Sequence, residues 1–529
     1  MEKINIKRIL MICAAGMLLT VTSCKKDFDK INSNPNSPAS VPNSTLLTGA
    51  EKGLMDFTWD RWWNGTTGML LAQYYAENQY TDESLYQFRN TTIKDYWTDF
   101  YAGGIPDQYS QSTITFPLGG LKELQTIIDQ CYADSVKSKP SGYVKNQIAV
   151  ALTLQTWTLQ NMTDTWGDIP VSQALKDVKN TQPIYDKQSD IYPALITRID
   201  SAIHMMDVSK FDLQGDVVYN GDMSKWLKFA NSIKLRVAMR MADRLPALAA
   251  TKVAEAVTAG VFTSNNDNAL FPYQSGSPNY NPLYYDRGIT GRKDFSSANT
   301  IVDIMNGLND PRLLSYFDSL PGSIFVGRPY GQSSSNAGAT SLGSVSQPSG
   351  STAIDQGVPG GAGTLSATFP GVYLDYAQIE FFLAEGAERG FSVGGSAQDH
   401  YNAGIKSSLN FWLNDKPQVT LDSIYHAYIL QPNVDYNTLK GAGKTWKQII
   451  GQQKWLALYM QGIQGWIEWR RLDFGILQAT ADPQLQGTGV PVRMTYPYSE
   501  ATLNPTGYNQ AIAHQGVDQL TTKVWWDMY

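Results

Sequence analysis

The chain has 529 residues, enough for sizeable cores, and carries 42 Lys and Arg against 48 Asp and Glu, a formal charge of −6. That mild acidity argues against the basic footprint of a nucleic-acid-binding protein, so no nucleic-acid partner is expected. Its 3 cysteines, Cys13, Cys24 and Cys131, are too few and too scattered for a disulfide framework.

The first element reads as an export signal. Lys3, Lys7 and Arg8 precede a short apolar run from 9 to 21, which ends in Val21-Thr22-Ser23-Cys24. Small residues directly before a cysteine are similar to a bacterial lipobox, in which the cysteine is acylated and becomes the first residue. Residues 1–23 are the expected lipoprotein signal peptide and Cys24 the expected lipidation site; several acyl chains at one residue hold a protein on a membrane durably. Residues 24–43, with Asn34-Pro35-Asn36-Ser37-Pro38, are polar and turn-rich and read as an extended tether. The body is expected over 44–529. No later run approaches the ~18 apolar residues of a spanning helix, so the lipid is the only expected membrane contact.

Helical periodicity dominates the body. Apolar faces at 3- and 4-residue spacing predict helices in pairs: 119–135 with 145–162, 189–206 with 224–244, 372–391 with 397–414, and 422–431 with 446–471. Cys131 falls in register with Leu121, Leu124, Ile127 and Ile128, which predicts a small buried residue. On the 224–244 helix, Lys225, Lys228, Lys234, Arg236, Arg240 and Arg244 are expected on the wetter faces, paired with carboxylates or solvated. The 446–471 stretch is apolar on two sides and predicts a helix buried between neighbours, with Trp466, Trp469, Arg470 and Arg471 packing rather than binding. The fold class is mostly α, a tetratricopeptide-like solenoid of helical pairs with few short strands. A loop-rich insertion interrupts it over about 263–371. Within that, residues 331–364 hold eight Gly, eight Ser and a single charged residue, Asp355. Such a composition cannot form its own core and predicts a long flexible loop.

Motifs for catalysis fail on context. Gly390-Phe391-Ser392-Val393-Gly394 matches a nucleophile elbow in letters, but a helix is predicted before it where the elbow needs a strand. Gly443-Lys444-Thr445 ends like a phosphate loop, yet Thr438 stands where the first glycine belongs. His204, His400, His426 and His514 lie far apart, without zinc-ligand spacing. No catalytic residue and no cofactor follow from the sequence, and metal content, including a structural calcium, is left open.

Aromatics make up 12% of the chain and Tyr (29) outnumbers Phe (18). Tyr and Trp offer a flat apolar face with a polar tip, which suits sugar rings as well as cores. Two loop-rich segments combine them with amides, carboxylates and guanidinium groups. In 59–97 the candidates are Tyr80 and Trp97; in 273–295 they are Tyr284, Tyr285, Arg292 and Asp294.

Several stretches occur in a shared, specific order. After Cys24 comes Asp27-Phe28-Asp29-Lys30-Ile31-Asn32; then Trp166-Gly167-Asp168-Ile169-Pro170, Trp226-Leu227-Lys228-Phe229-Ala230-Asn231-Ser232, Asp310-Pro311-Arg312, and Trp466-Ile467-Glu468-Trp469-Arg470-Arg471. With the lipobox, the chain resembles the SusD-like (SusD/RagB) lipoproteins of Bacteroidetes. That resemblance implies a helical scaffold with an irregular ligand-holding subdomain. It also implies a non-catalytic protein on the outer membrane that passes oligosaccharides, or occasionally peptides, to a SusC-like TonB-dependent transporter. A surface-anchored glycoside hydrolase and a scaffold that docks protein partners are the other two readings.

Overall fold

Helices form where the sequence repeats apolar residues at helical spacing and supplies a cap. The computed structural model describes residues 41–103, 119–176, 179–480 and 489–529. The expected signal peptide, Cys24 and nearly all of the expected tether lie outside the described residues. Within Asn43–Tyr529, α1 (Asn43–Trp59), α2 (Asn90–Ala102), α3 (Gly120–Ala133), α4 (Val144–Trp166), α5 (Gln188–Met205), α6 (Met223–Arg240) and α7 (Pro246–Ala259) follow in order. After the insertion come α8 (Tyr376–Glu388), α9 (Ala397–Trp412), α10 (Gln418–Ile429), α11 (Trp446–Ala457) and α12 (Gly462–Leu472). The pairs α3–α4, α4–α5, α6–α7 and α8–α9 pack together, and α5–α6 and α8–α11 join neighbouring pairs. The mostly α fold of paired helices expected from periodicity is the fold observed, save that α10 packs chiefly on α9 and not, as expected, on the 446–471 stretch.

Local chemistry sets the ends. Asp222 caps α6 by accepting from the Ser224 N–H, and Ser396 and Thr445 make reciprocal capping boxes with Asp399 and Gln448 at the starts of α9 and α11. Thr445 is thus a cap in a connector, and the 390–394 glycine pair also lies between two helices. Gly167 ends α4 at φ 86°, a conformation open to glycine. Cys131 is buried, its Sγ 3.3 Å from Asn43 Nδ2.

Four expectations need correction. The helix expected from 372 begins at Tyr376, because Gly371–Leu374 pairs as a strand with Ala269–Phe271 and Asp375 then caps the helix. The helix expected over 446–471 is two helices, broken where Met460 takes φ 71°. The cations of α6 are less wet than expected: Arg236 and Arg240 are buried, because Gln160 and Asp164 on α4 reach them, and Lys234 lies 2.7 Å from Asp200 and 2.6 Å from Glu255. The segment 331–364 is not a free loop. It lacks its own apolar core but packs on its neighbours: buried Arg328 donates to the Ala337 and Thr340 carbonyls, and Asp318 accepts from the Gly350 and Thr352 N–H groups. Trp466, Arg470 and Arg471 are buried, as expected of packing residues.

Three two-stranded antiparallel ladders complete the described residues. The one that matters for the site joins β1 (Tyr75–Glu77) to β2 (Phe295–Ser297), with Glu77 opposite Phe295. Among the described residues, no helix is long and apolar enough to cross a membrane.

Candidate ligand-binding site

The site starts from a widened turn after α1. Asp60 accepts from the Trp63 N–H at 2.7 Å, and the chain over Arg61–Gly68 winds with i→i−5 bonds, the Gly65 N–H reaching the Asp60 carbonyl at 3.1 Å. Thr66 and Thr67 hydroxyls both donate to the Trp62 carbonyl, which holds this uncommon winding; such segments concentrate at functional sites. It buries Trp63, stacked on Trp166 at 5.3 Å, and leaves Arg61 and Trp62 half-buried.

The β1–β2 ladder then brings 78–80 beside 292–294. The Asn78 N–H donates to the Asp294 carbonyl at 2.7 Å, and its side-chain amide donates to the Lys293 carbonyl at 2.8 Å. Beyond this clamp Tyr80 sits at φ 56°, a left-handed position that a bulky residue occupies only under constraint, and its ring is 60% exposed. An exposed aromatic held on a strained backbone is poorly explained by packing.

Around Tyr80 the polar groups converge. Asp294 accepts from Gln79 Nε2 at 3.0 Å on one oxygen and from Arg292 Nε at 2.6 Å on the other. Arg61 Nη1 lies 3.1 Å from Asp286 and 3.8 Å from Asp294. The Arg61 guanidinium stacks on the Trp62 ring at 4.0 Å, and that of Arg89 lies 5.3 Å from the same ring while pairing with Glu83 at 3.0 Å. Tyr80, Asp286 and Asp294 all bear on the charge of Arg292. Burial pushes the Glu77 carboxyl beneath them well up, with Glu83 adding to the shift.

Of the six sequence-chosen residues, the structure brings three together, Tyr80, Arg292 and Asp294. Tyr285 is half-buried in the turn that carries Asp286. Trp97 and Tyr284 are placed otherwise. Trp97 is 7% exposed, stacked with Tyr185 at 5.9 Å and edge-on to Trp166 at 5.3 Å. Tyr284 is 8% exposed and packs on Tyr280 at 5.5 Å. Neither offers a free face, because each ring fills space between elements that only the fold brings together. Arg61, Gln79, Arg89 and Asp286 were missed. The Arg61-Trp62-Trp63 cluster was the available signal; that Arg61 meets residues 286 and 294 was not visible.

Two partly open pockets flank Trp59, Val372 and Gln461, with volumes of about 10 and 40 Å³. A cavity that holds one benzene ring measures about 150 Å³, so neither is large enough for a sugar ring. The arrangement that can take one is the open surface: an aromatic face for apolar C–H groups, rimmed by amide, guanidinium and carboxylate groups. Among the described residues, no group of three or more His, Cys, Asp or Glu side chains is placed to hold a metal ion.

Burial raises the Asp286 carboxyl to about 6 even though Arg61 opposes the shift. Its folded value lies above its unfolded one, so between the two the folded state binds the extra proton. This group's contribution to stability is therefore greatest at acid pH and lost as pH rises through about 6. Ligand affinity is expected to change near that pH in the native protein and to be level there in Asp286→Asn. Identical titration profiles by calorimetry would remove Asp286 from the site.

Residues 35–497 match a SusD-like family described as starch-binding and associating with the outer membrane. A solved chitin-binding protein is 26% identical over 92% of this chain and 100% of its own, with a TM-score of 0.75. A SusD homologue from Bacteroides uniformis is 25% identical over 92% of this chain and 99% of its own, at 0.70. A chitin-binding SusD homologue from Flavobacterium johnsoniae is 22% identical over 92% and 98%, also at 0.70, a likeness of fold. No curated protein matches the sequence.

Proposed function

We infer the function from one premise: the chain belongs to the SusD-like family of starch-binding proteins that associate with the outer membrane. We propose that it is a lipid-anchored, non-catalytic protein of the cell surface that binds oligosaccharides and hands them to a SusC-like TonB-dependent transporter. The observation that carries the binding role is Tyr80, an exposed ring on a left-handed backbone among Arg292, Asp294 and Gln79. Chito-oligosaccharides are the first ligands to try, given the chitin-binding relative at 26% identity.

The carboxylates support binding over hydrolysis. A glycosidase needs one carboxyl free to give a proton and a second free to attack or to activate water. Asp294 has both oxygens engaged by Gln79 and Arg292, and Asp286 faces Arg61. These groups organise a surface; they are not presented to a scissile bond.

The test is a glycan array followed by calorimetry on the hits. Tyr80→Ala is expected to weaken binding by about 2 kcal/mol, roughly thirtyfold, the size of an aromatic anchor. Incubation with the same oligosaccharides is expected to yield no products. Unchanged affinity in Tyr80→Ala would move the site elsewhere, and new reducing ends would revive the hydrolase reading.

A further inference from the structure

We propose that this surface selects uncharged saccharides against uronic acids and sulfated sugars, and that Asp294 is the residue that sets the selection. The inference rests on the glycan reading above and names the ligand's charge class.

Five cations lie on the segments that build this surface, and each already has a carboxylate: Arg61 with Asp286 at 3.1 Å, Arg89 with Glu83 at 3.0 Å, Arg292 with Asp294 at 2.6 Å, and Arg287 and Lys293 both with Asp355 at 2.7 and 2.9 Å. Glu83 and Asp294 are buried behind the surface, so neither can turn out to water if its guanidinium is taken. An anionic ligand either takes the cation from one of these buried carboxylates, leaving an uncompensated charge in a poor dielectric, or shares the guanidinium and sets a second negative charge beside the first. Neutral hydroxyl and amide groups meet no such obstacle. They can accept from guanidinium N–H groups that the carboxylates leave free and lie on the Tyr80 ring. The formal charge of −6 on the whole chain acts in the same direction during approach.

Asp294 holds the key position because it touches Gln79, Arg292 and, at 3.8 Å, Arg61. Remove its charge and Arg292, whose side chain is 37% exposed, becomes a cation facing solvent beside an aromatic ring. That is a recognition unit for a carboxylate.

The experiment has two arms. In the first, the native full chain is applied to an array that carries neutral, uronic-acid and sulfated oligosaccharides. Hits confined to neutral members are the expected result. Hits led by acidic members overturn the inference and leave the glycan reading standing. An array without hits of any charge overturns the glycan reading and this inference with it. In the second arm, Asp294→Asn and native protein are titrated with a tetragalacturonate at low ionic strength. The variant is expected to bind it at least about tenfold more tightly, in a salt-sensitive manner, and the gain is expected to vanish in Asp294→Asn/Arg292→Gln. A variant that melts as the native chain does and shows no gain removes Asp294 from this role. The first arm needs no variant and decides the charge class by itself.

Discussion

Glu468→Gln is expected to destabilise the protein by about 3–5 kcal/mol, the cost of breaking a buried ion network by removing one charge. Glu468 on α12 is inaccessible to solvent; it accepts from Lys454 of α11 at 2.8 Å and from Arg471 at 2.7 Å, and Arg240 of α6 approaches to 3.5 Å. Arg471 also pairs with Glu385 of α8, which takes Arg389 at 2.8 Å. One carboxylate therefore ties together helices from both sides of the insertion. The glutamine keeps the shape and removes the charge, so the buried cations lose their counter-ion while packing is unchanged. Burial alone would raise the Glu468 carboxyl, but Arg471, Lys454 and Arg240 outweigh it and hold the group well below the ordinary 4.5. The sign follows: its contribution is complete above the ordinary carboxylate range and is lost as acidification passes below it. Urea unfolding at neutral pH measures the effect, with a shifted midpoint and an unchanged slope. A loss under about 1 kcal/mol would mean that the cations find other partners and that the network is not a keystone.

Gly462→Ala is expected to cost at least about 3 kcal/mol, or to prevent folding, by overpacking against backbone. A Cβ at 462 would fall inside van der Waals contact with the Gly68 carbonyl carbon and the Met69 nitrogen, and neither can swing aside as a flexible side chain would. The reverse holds too: a Cβ at Gly68 would stand 2.7 Å from the Ile463 nitrogen. The two glycines let the start of α12 lie directly on the wound segment Arg61–Gly68, where Asn64 Nδ2 donates to the Met460 carbonyl at 3.0 Å. Arg61 and Trp62 belong to that segment, so the close approach also sets the position of the proposed ligand surface. Gly307→Ala makes a fitting control, because a Cβ there meets nothing within 4 Å. Equal melting temperatures for Gly462→Ala and native protein would show that the two backbones separate at little cost.

Much of this protein was legible in one dimension. A 3.6-residue repeat is local, so α3, α4, α5, α6 and α9 stood out within a few residues of their observed ends, as did the burial of Cys131 and of Trp466. The helix that begins at Tyr376 was drawn too long because three apolar strand residues before it, Val372, Tyr373 and Leu374, continue its pattern. Polar residues were harder. Arg236 and Arg240 sit on faces that any local reading leaves to water, and only the acids and amides of α4 make their burial tolerable.

The proposed ligand surface shows the same division. Residue types alone, tyrosines beside amides and arginines on turn-rich segments, singled out the two segments on which the proposal draws. Which rings face outward was decided by the fold: Trp97 and Tyr284 have the same chemistry as an exposed platform, yet Trp97 is enclosed by Tyr185 and Tyr496, and Tyr284 is buried beside Tyr280 and against Gly361. Helix formation and capping are settled among neighbours three or four places apart, and the order of residues determines them directly. The meeting of Arg61, Tyr80, Asp286 and Asp294 depends on a strand pair that joins positions more than two hundred residues apart, and ring exposure depends on what those distant elements cover. Such contacts form only once the chain has closed on itself, which is why the tertiary structure had to supply them.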